Sequence, residues 1–355
     1  MTSIQTEDYS IHFKSNGYKE LNAHLKNSDY SKIFILVDSN SHNYCLPMFL
    51  SNVETDVVIE IIEIEPGETN KTIDTCVGVW DALSELGGDR KSLMINLGGG
   101  VVTDIGGFIA STFKRGISYI NVPTTLLAMV DASIGGKTGV DLGHLKNQIG
   151  VINSGEMVLV DTEFLKTLPH NEIRSGLAEM LKHGLIKSKA YWNKFTNLSD
   201  FNNIDFDTLI LESIIIKKDI VVSDPNENGM RKTLNYGHTL GHAIESYCLS
   251  NPQKNDLLHG EAIAIGMIME TYISTKESGF SMSDCDNIKE TILNIYDKIS
   301  FSESDFAPII ELLKYDKKNE HGNINFVLLE EIGTPIVNRT VDNKHIIEAF
   351  HYYNS

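Results

Sequence analysis

The chain has 355 residues, 41% hydrophobic and 22% charged, an ordinary globular balance that is too long for one typical core. Its 30 Lys+Arg against 48 Asp+Glu leave a formal net charge of -18, which repels nucleic acid and anionic membranes, so neither is expected as a partner. The four cysteines (Cys45, Cys76, Cys248, Cys285) form no C-x-x-C pair, the N-terminus is polar, and no apolar run nears membrane-spanning length, so a cytoplasmic protein is expected.

The first half alternates strands with helices. Residues 33–37 read as an apolar strand that ends at Asp38, and residues 57–64 as a second. Over residues 71–86, Ile73, Val77, Trp80 and Leu83 recur at helical spacing. Residues 93–97, 117–122 and 157–160 complete the strand set. This alternation predicts an open, mostly parallel α/β sheet, with ligands at the carboxyl ends of its strands.

Residues 96–147 carry the densest polar signals. The strand at 93–97 runs into Gly98, Gly99 and Gly100, and a helix pattern follows over 102–113 with Asp104 expected in its first turn. Such a turn offers backbone N–H groups to a pyrophosphate. The spacing is not G-x-G-x-x-G, so the ordinary dinucleotide fingerprint is absent, and a βα turn without a ligand is an equal reading of the glycines alone. Arg115, Thr124 and Thr125, Asp131, the run Gly135-Gly136-Lys137-Thr138, and Lys146-Asn147 follow, each beside a glycine turn or a strand end. Asp38 suits a ribose hydroxyl or a helix cap equally well. In so acidic a chain, the gathering of Arg115, Lys137, Lys146, Lys182, Lys217 and Arg231 in or beside motifs points to an anionic ligand, although any one alone reads as a surface cation.

After Pro169 the character changes. Helical periodicity dominates residues 172–277 and 283–313, a polar stretch at 195–207 reads as a surface loop, and 323–329 as one late strand. The expected architecture is an α/β nucleotide-binding domain over 1–169, then a mainly α-helical metal- and substrate-binding domain over 170–355. Glu179 and Lys182 share one helix face, His238 and His242 share another, and His259 opens a third helix. A catalytic zinc takes three N/O ligands and keeps one position open, a demand that Glu179, His238 and His259 would meet. Thr239 stands where a zincin has its Glu, which argues against a metalloprotease. A lone histidine in such a helix is more often a packed core residue.

The segments GGGVVTD, FKRG, VPTTLLA, VDASIGGKTGV, LKNQIG, GLAEMLKHG, RKTLNYGHTLGHAIES, LHGEA and YDKK occur in that order between Gly98 and Lys318. The ordered series resembles 3-dehydroquinate synthase, the shikimate-pathway member of the sugar-phosphate cyclases. The resemblance implies conversion of 3-deoxy-D-arabino-heptulosonate 7-phosphate to 3-dehydroquinate and phosphate, with NAD recycled and a divalent metal, zinc or cobalt. A homodimer is compatible with it.

By the resemblance, Glu179, His238 and His259 match metal ligands. His242 and Glu227 match proton-transfer positions, although Glu227 by itself reads as an exposed loop acid. Arg231 and Asn235 match substrate contacts, as do Arg115, Asp131, Lys137, Asn147 and Lys182. Lys217 matches another, with Lys218 one residue away as the alternative. Either Lys317 or Lys318 completes the substrate set. The cofactor positions matched are Asp38, Asn40, Glu68 and Lys71; Gly99, Gly100, Val101 and Asp104; and Thr124, Thr125, Lys146, Phe164 and Thr167. Asp141, Leu145 and the long link at 251–256 depart from common family patterns and bear on rate and metal affinity. Two other activities fit the same architecture: another sugar-phosphate cyclase, and a metal-dependent polyol dehydrogenase that releases NADH.

Overall fold

The computed structural model describes residues 3–143, 145–196, 205–315 and 324–355, and the chain divides into two compact units, Met1–Pro169 and His170–Ser355. Among the described residues no helix is long and apolar enough to cross a membrane. The four cysteines are buried and form no disulfide.

The first unit opens with strands β1 (Ile4–Gln5) and β2 (Ser10–Phe13), helix α1 (Lys14–Asn27), strand β3 (Ile33–Asp38) and the short helices α2 (Ser39–Tyr44) and α3 (Leu46–Ser51). It continues through β4 (Ile59–Ile64), α4 (Ile73–Glu85), β5 (Leu93–Gly98), α5 (Gly100–Thr112) and β6 (Ser118–Pro123). A hairpin, β7 (Lys137–Leu142) and β8 (Leu145–Ile152), precedes the last strand, β9 (Met157–Val160). Seven strands form one sheet in the order β1-β2-β9-β6-β5-β3-β4. Only β1 pairs antiparallel; the other pairs are parallel.

Every residue of β5 is buried, as expected of a parallel strand covered on both faces. Phe34, Leu36, Ile62 and Met94 of the sheet pack with Val79 and Leu83 of α4, Ile105 and Ile109 of α5, and Val140 of the hairpin. Asp38 pairs with Ile64 and Gly98 with Pro123, so these residues mark one carboxyl edge. The chain leaves β3 toward β4 on one side, while β5 flanks β3 on the other. That reversal between β3 and β5 is where open α/β sheets hold ligands.

The second unit contains α6 (His170–Lys187), α7 (Lys189–Trp192), α8 (Phe206–Ser223), α9 (His238–Ser250), α10 (His259–Glu277), α11 (Met282–Leu293) and α12 (Glu303–Leu312). Strands β10 (Phe326–Glu331) and β11 (Thr334–Arg339) form an antiparallel hairpin, and α13 (Asn343–Asn354) ends the chain. Helix α10 is packed by α6, α9, α11, α13 and β10, and is apolar on nearly all sides.

Several elements depart from the sequence reading. The β7–β8 hairpin was not anticipated, because glycines and polar residues break its period-2 pattern. The expected surface loop at 195–207 falls partly outside the described residues. At its start Phe195 is a core residue, edge-on to Tyr191 at 5.1 Å, and at its end Phe206 already opens α8. The late strand begins at Phe326 and has a partner in β11.

Candidate functional site

At the carboxyl edge of the first unit, Gly98 ends β5, Gly99 occupies the N-cap position and Gly100 opens α5. No side chain caps α5, so its first-turn N–H groups suit an anionic ligand. A Cβ at Gly98 would lie 2.6 Å from Val102, and one at Gly99 would lie 3.0 Å from Thr125 Cγ2, so the turn admits only glycine without rearrangement. Thr124 donates its N–H to the Gly98 carbonyl at 2.9 Å, which ties the VPTT segment to this turn. Val101 lies in the first turn of α5, between Gly100 and Val102. Asp104 lies beyond that turn, a correction to its expected position. The helix starts at Gly100, earlier than the apolar pattern reveals, because glycine adds nothing to the periodic signal.

Asp38 caps α2: its Oδ1 accepts from the Ser41 N–H at 2.7 Å and from the Ser41 hydroxyl at 2.9 Å. Asn40, also in α2, is exposed. Phe164 is a core residue whose carbonyl accepts the Thr167 hydroxyl at 3.0 Å.

A polar cluster links several of the selected residues. Lys71 is 3% exposed, and its Nζ donates to Asp104 Oδ2 and Asn147 Oδ1, each at 2.6 Å. Asn147 holds a left-handed backbone, φ 51°, and donates its N–H to Asp141 Oδ1 at 2.7 Å. Asp141 in turn donates its N–H to the Lys71 carbonyl at 2.9 Å, and Lys146 stands 3.9 Å from Glu68. Burial opposes the charge on Lys71, but Asp104, Glu68 and Asp141 outweigh it and hold its pKa above the ordinary lysine range. Burial pushes the Asp141 carboxyl up.

Two predicted substrate residues lie elsewhere in this unit. Arg115 is exposed, with a left-handed φ of 71°, at the amino edge of the sheet where β6 starts beside Leu93. Lys137 is exposed at the start of β7, at the opposite end of the hairpin from Asn147 and roughly 13 Å away by strand rise. Asp131 lies in a π-turn, Ala128–Ala132, that packs on α5; such turns recur at functional sites.

In the second unit, Glu179 on α6 is fully buried. Its Oε1 stands 3.3 Å from His238 Nε2 and 3.8 Å from His259 Nε2, and its Oε2 pairs with Lys182 one turn on. Neither carboxylate oxygen has an oriented hydrogen-bond donor. Ligands about 2.1 Å from a tetrahedral ion stand about 3.4 Å apart, so these spacings fit a metal. His238 Nδ1 faces the Tyr236 carbonyl at 3.0 Å, and His259 Nδ1 faces Glu245 Oε2 at 3.5 Å. Assigning the Nδ1 protons to those acceptors turns both Nε2 lone pairs toward Glu179.

His242 sits one turn along α9, with ring centroids 5.2 Å from His238 and 5.6 Å from His259. Ring nitrogens of all three histidines lie within 4.8 Å of one another, so they form a second donor set. Burial opposes the Glu179 charge, but Lys182 and His238 outweigh it and hold the carboxyl well below its usual range. Burial also opposes protonation of His259, yet the neighbouring carboxylates of Glu179 and Glu245 push it up to about 9.

Among the described residues, three cations are buried around this helical framework: Lys182 at 1%, Lys217 at 6% and Arg231 at 2% exposure. The segments that carry them, α6, α8 and the turn Met230–Asn235, pack on one another. Lys218 instead pairs with Asp219 at 2.7 Å and is 25% exposed, so Lys217 is the inward member of the pair. Arg231 donates Nη1 to the Pro225 carbonyl at 2.8 Å. Glu227 is half-buried with φ 58°, and its Oε1 accepts from Asn235 Nδ2 at 3.0 Å, which corrects the exposed-acid reading. Lys317 and Lys318 lie outside the described residues.

Two supporting acids were not singled out from the sequence. Asp224 accepts the N–H groups of Asn228, Gly229 and Arg231 at 3.0, 2.7 and 3.0 Å and so shapes the loop that presents Glu227 and Arg231. Glu245, in the GHAIES segment one turn after His242, was visible as a helix-face companion of the histidines.

In comparisons with known proteins, two family models match consecutive parts of the chain. The one described as 3-dehydroquinate synthase N-terminal covers residues 61–175, and the one described as 3-dehydroquinate synthase C-terminal covers residues 176–319. The chain is 41% identical over 337 residues to the 3-dehydroquinate synthase of Parabacteroides distasonis, covering 94% of each chain. A solved 2-deoxy-scyllo-inosose synthase, complexed with carbaglucose-6-phosphate, NAD+ and Co2+, shares the fold at TM-score 0.82 and 24% identity, over 99% of this chain and 100% of that one. A solved 2-epi-5-epi-valiolone synthase from Streptomyces hygroscopicus, with NAD+ and Zn2+ bound, does so at TM-score 0.78 and 22% identity, over 99% and 98%. The latter two similarities establish the fold alone. The matched models and the near-full-length relative reach further: the chain belongs to the 3-dehydroquinate synthase family.

Proposed function

We propose that the chain catalyses the family's reaction as a phosphate-eliminating lyase of the cytoplasm. It converts 3-deoxy-D-arabino-heptulosonate 7-phosphate to 3-dehydroquinate and phosphate, and recycles NAD within each turnover. The observation that carries this reading is the convergence of Glu179, His238 and His259 in a helical unit that also buries Lys182, Lys217 and Arg231.

Residues 1–169 hold the nucleotide, through the Gly98–Gly100 turn, Asp104 and Thr124. Residues 170–355 hold the metal on Glu179, His238 and His259, and bind the anionic substrate. When bound, NAD supplies reversible hydride acceptance and the divalent ion polarises the hydroxyl that gives up the hydride. Lys182, Lys217 and Arg231 bind carboxylate and phosphate, and because they are buried, salt screens them little. His242 and Glu227 move protons at the substrate, with Glu227 held by Asn235.

Incubation with the heptulosonate phosphate, NAD and zinc or cobalt tests the reading. Dehydroquinate and phosphate should appear in equal amounts without free NADH. NADH accumulating in step with substrate loss would instead favour a polyol dehydrogenase. A carbocyclic product other than dehydroquinate would favour another cyclase.

The buried and the partly exposed lysine of α8 offer a second check. Lys217→Met should lower kcat/KM about ten- to a hundredfold, the loss of one charge-assisted contact of about 1.5–3 kcal/mol. Lys218→Met, which removes a partly exposed ion pair, should change it less than about threefold. Equal effects would remove Lys217 from the substrate site.

A further inference from the structure

We propose that Glu270 is a positioning residue for the metal centre, acting on His238 through the peptide between Tyr236 and Gly237. The inference rests on the assignment of His238 as a metal ligand.

Glu270 lies on α10, fully buried. Its Oε2 accepts the Gly237 N–H at 2.7 Å, and its Oε1 accepts the Leu240 N–H at 3.1 Å. The Gly237 N–H and the Tyr236 carbonyl belong to one planar peptide unit. That carbonyl is the group 3.0 Å from His238 Nδ1. A continuous chain therefore runs from the Glu270 carboxylate, through one peptide, to the imidazole. A negative charge on the N–H end polarises the peptide and makes its oxygen a better acceptor, by cooperative strengthening of about 10–30% per bond. The stronger acceptor holds the His238 proton on Nδ1, leaving Nε2 to face Glu179 as a more basic ligand.

The backbone is built around this contact. Gly237 is left-handed, φ 77°, and a Cβ there would lie 2.5 Å from Met267 Cγ on α10. A Cβ at Gly266 would lie 2.0 Å from the Gly237 carbonyl oxygen. Glycine on both sides thus lets the turn settle onto α10. The carboxylate also satisfies two of the N–H groups at the start of α9, where negative charge is favourable. The two histidine ligands are backed in different ways: His259 meets Glu245 directly, and His238 meets Glu270 across a peptide.

The test titrates metal-free protein with zinc against a chromophoric chelator, and with cobalt to read its visible absorption. Glu270→Gln should weaken both ions about ten- to a hundredfold and alter the cobalt spectrum. Thr271→Val removes the neighbouring buried hydroxyl that meets Tyr236. It should lower Tm and leave affinity and spectrum unchanged, which separates positioning from general loss of packing. Affinity within twofold and an unaltered spectrum in Glu270→Gln would make Glu270 a helix cap only and overturn the proposal. Should Glu270→Gln not fold, Glu270→Asp decides: the shorter carboxylate keeps the charge but cannot reach both N–H groups, and it should weaken both ions and alter the cobalt spectrum; affinity within twofold and an unaltered spectrum there overturn the proposal. Unaltered protein that takes up no metal, or His238→Gln that binds it undiminished, would instead sink the metal reading itself.

Discussion

A Glu179→Gln variant should bind zinc about a hundred- to a few-thousandfold more weakly than the unaltered chain. Removing one partner of a buried charge pair costs about 3–5 kcal/mol, because the others stay buried and uncompensated. At about 1.4 kcal/mol per decade, that is two to three and a half orders of magnitude. Glu179 and Lys182 are fully buried and His238 nearly so, so solvent offers little substitute for the lost carboxylate. His242→Asn should behave differently, keeping its metal while losing about 10²–10⁴ in kcat, the usual share of a proton-transfer group. Metal content after exhaustive dialysis, read beside kcat, distinguishes the two. The reverse pattern would assign the centre to His238, His242 and His259, whose ring nitrogens lie within 4.8 Å of one another.

The parts of this molecule that were legible in the sequence have local physical signals. β5 is an unbroken apolar run into three glycines, and a fully buried strand opening a helix can hardly be written otherwise. The boundary of the units at Pro169 coincides with a switch from period-2 and apolar runs to helical spacing. Helix α13 was equally readable, since Ile346, Ala349, Phe350 and Tyr353 recur at helical spacing and are all buried, but no motif drew attention to it. The β7–β8 hairpin lacks such a signal because its residues serve turns and polar contacts rather than a continuous apolar face.

Within the site, motif order did not convey distance. Lys137 and Asn147 are neighbours in the series of segments yet stand at opposite ends of one hairpin, and Arg115 lies at the far edge of the sheet. Lys71, outside the glycine-rich stretch, turned out to join Asp104 to Asn147. Glu270 carries no sequence signal at all: its function depends on a peptide 33 residues earlier and on glycines that let two segments close.

The net charge of -18 gives a passing anion no long-range attraction, so local burial of cations must decide recognition. Each unit buries its own: Lys71 in the first, and Lys182, Lys217 and Arg231 in the second. Buried lysines and arginines are rare unless paired. Lys71 shows the structural form of that rule, with both neighbouring acceptors at 2.6 Å.

Lys71→Met should therefore destabilise the first unit by about 3–5 kcal/mol, the cost of stripping the partner from a mostly buried carboxylate. Lys71 is 4% exposed at its side chain and Asp104 18%, so solvent screening takes little from that figure. Asn147 would lose the contact that steadies its left-handed backbone, loosening the start of β8, and NAD affinity should fall with it. The pH dependence follows from the raised pKa. Folding that raises a lysine's pKa is favoured by the proton, so the stabilisation is complete below the ordinary value of 10.5 and is lost as pH rises through the higher folded value. Between about pH 6 and pH 9 the gap between the unaltered chain and the variant should stay constant, and it should narrow only in stronger alkali. Denaturant unfolding of both proteins across that range, paired with NAD titration, measures each part. A loss under about 1 kcal/mol with unchanged NAD affinity would show that Asp104 and Asn147 hold their places without the lysine.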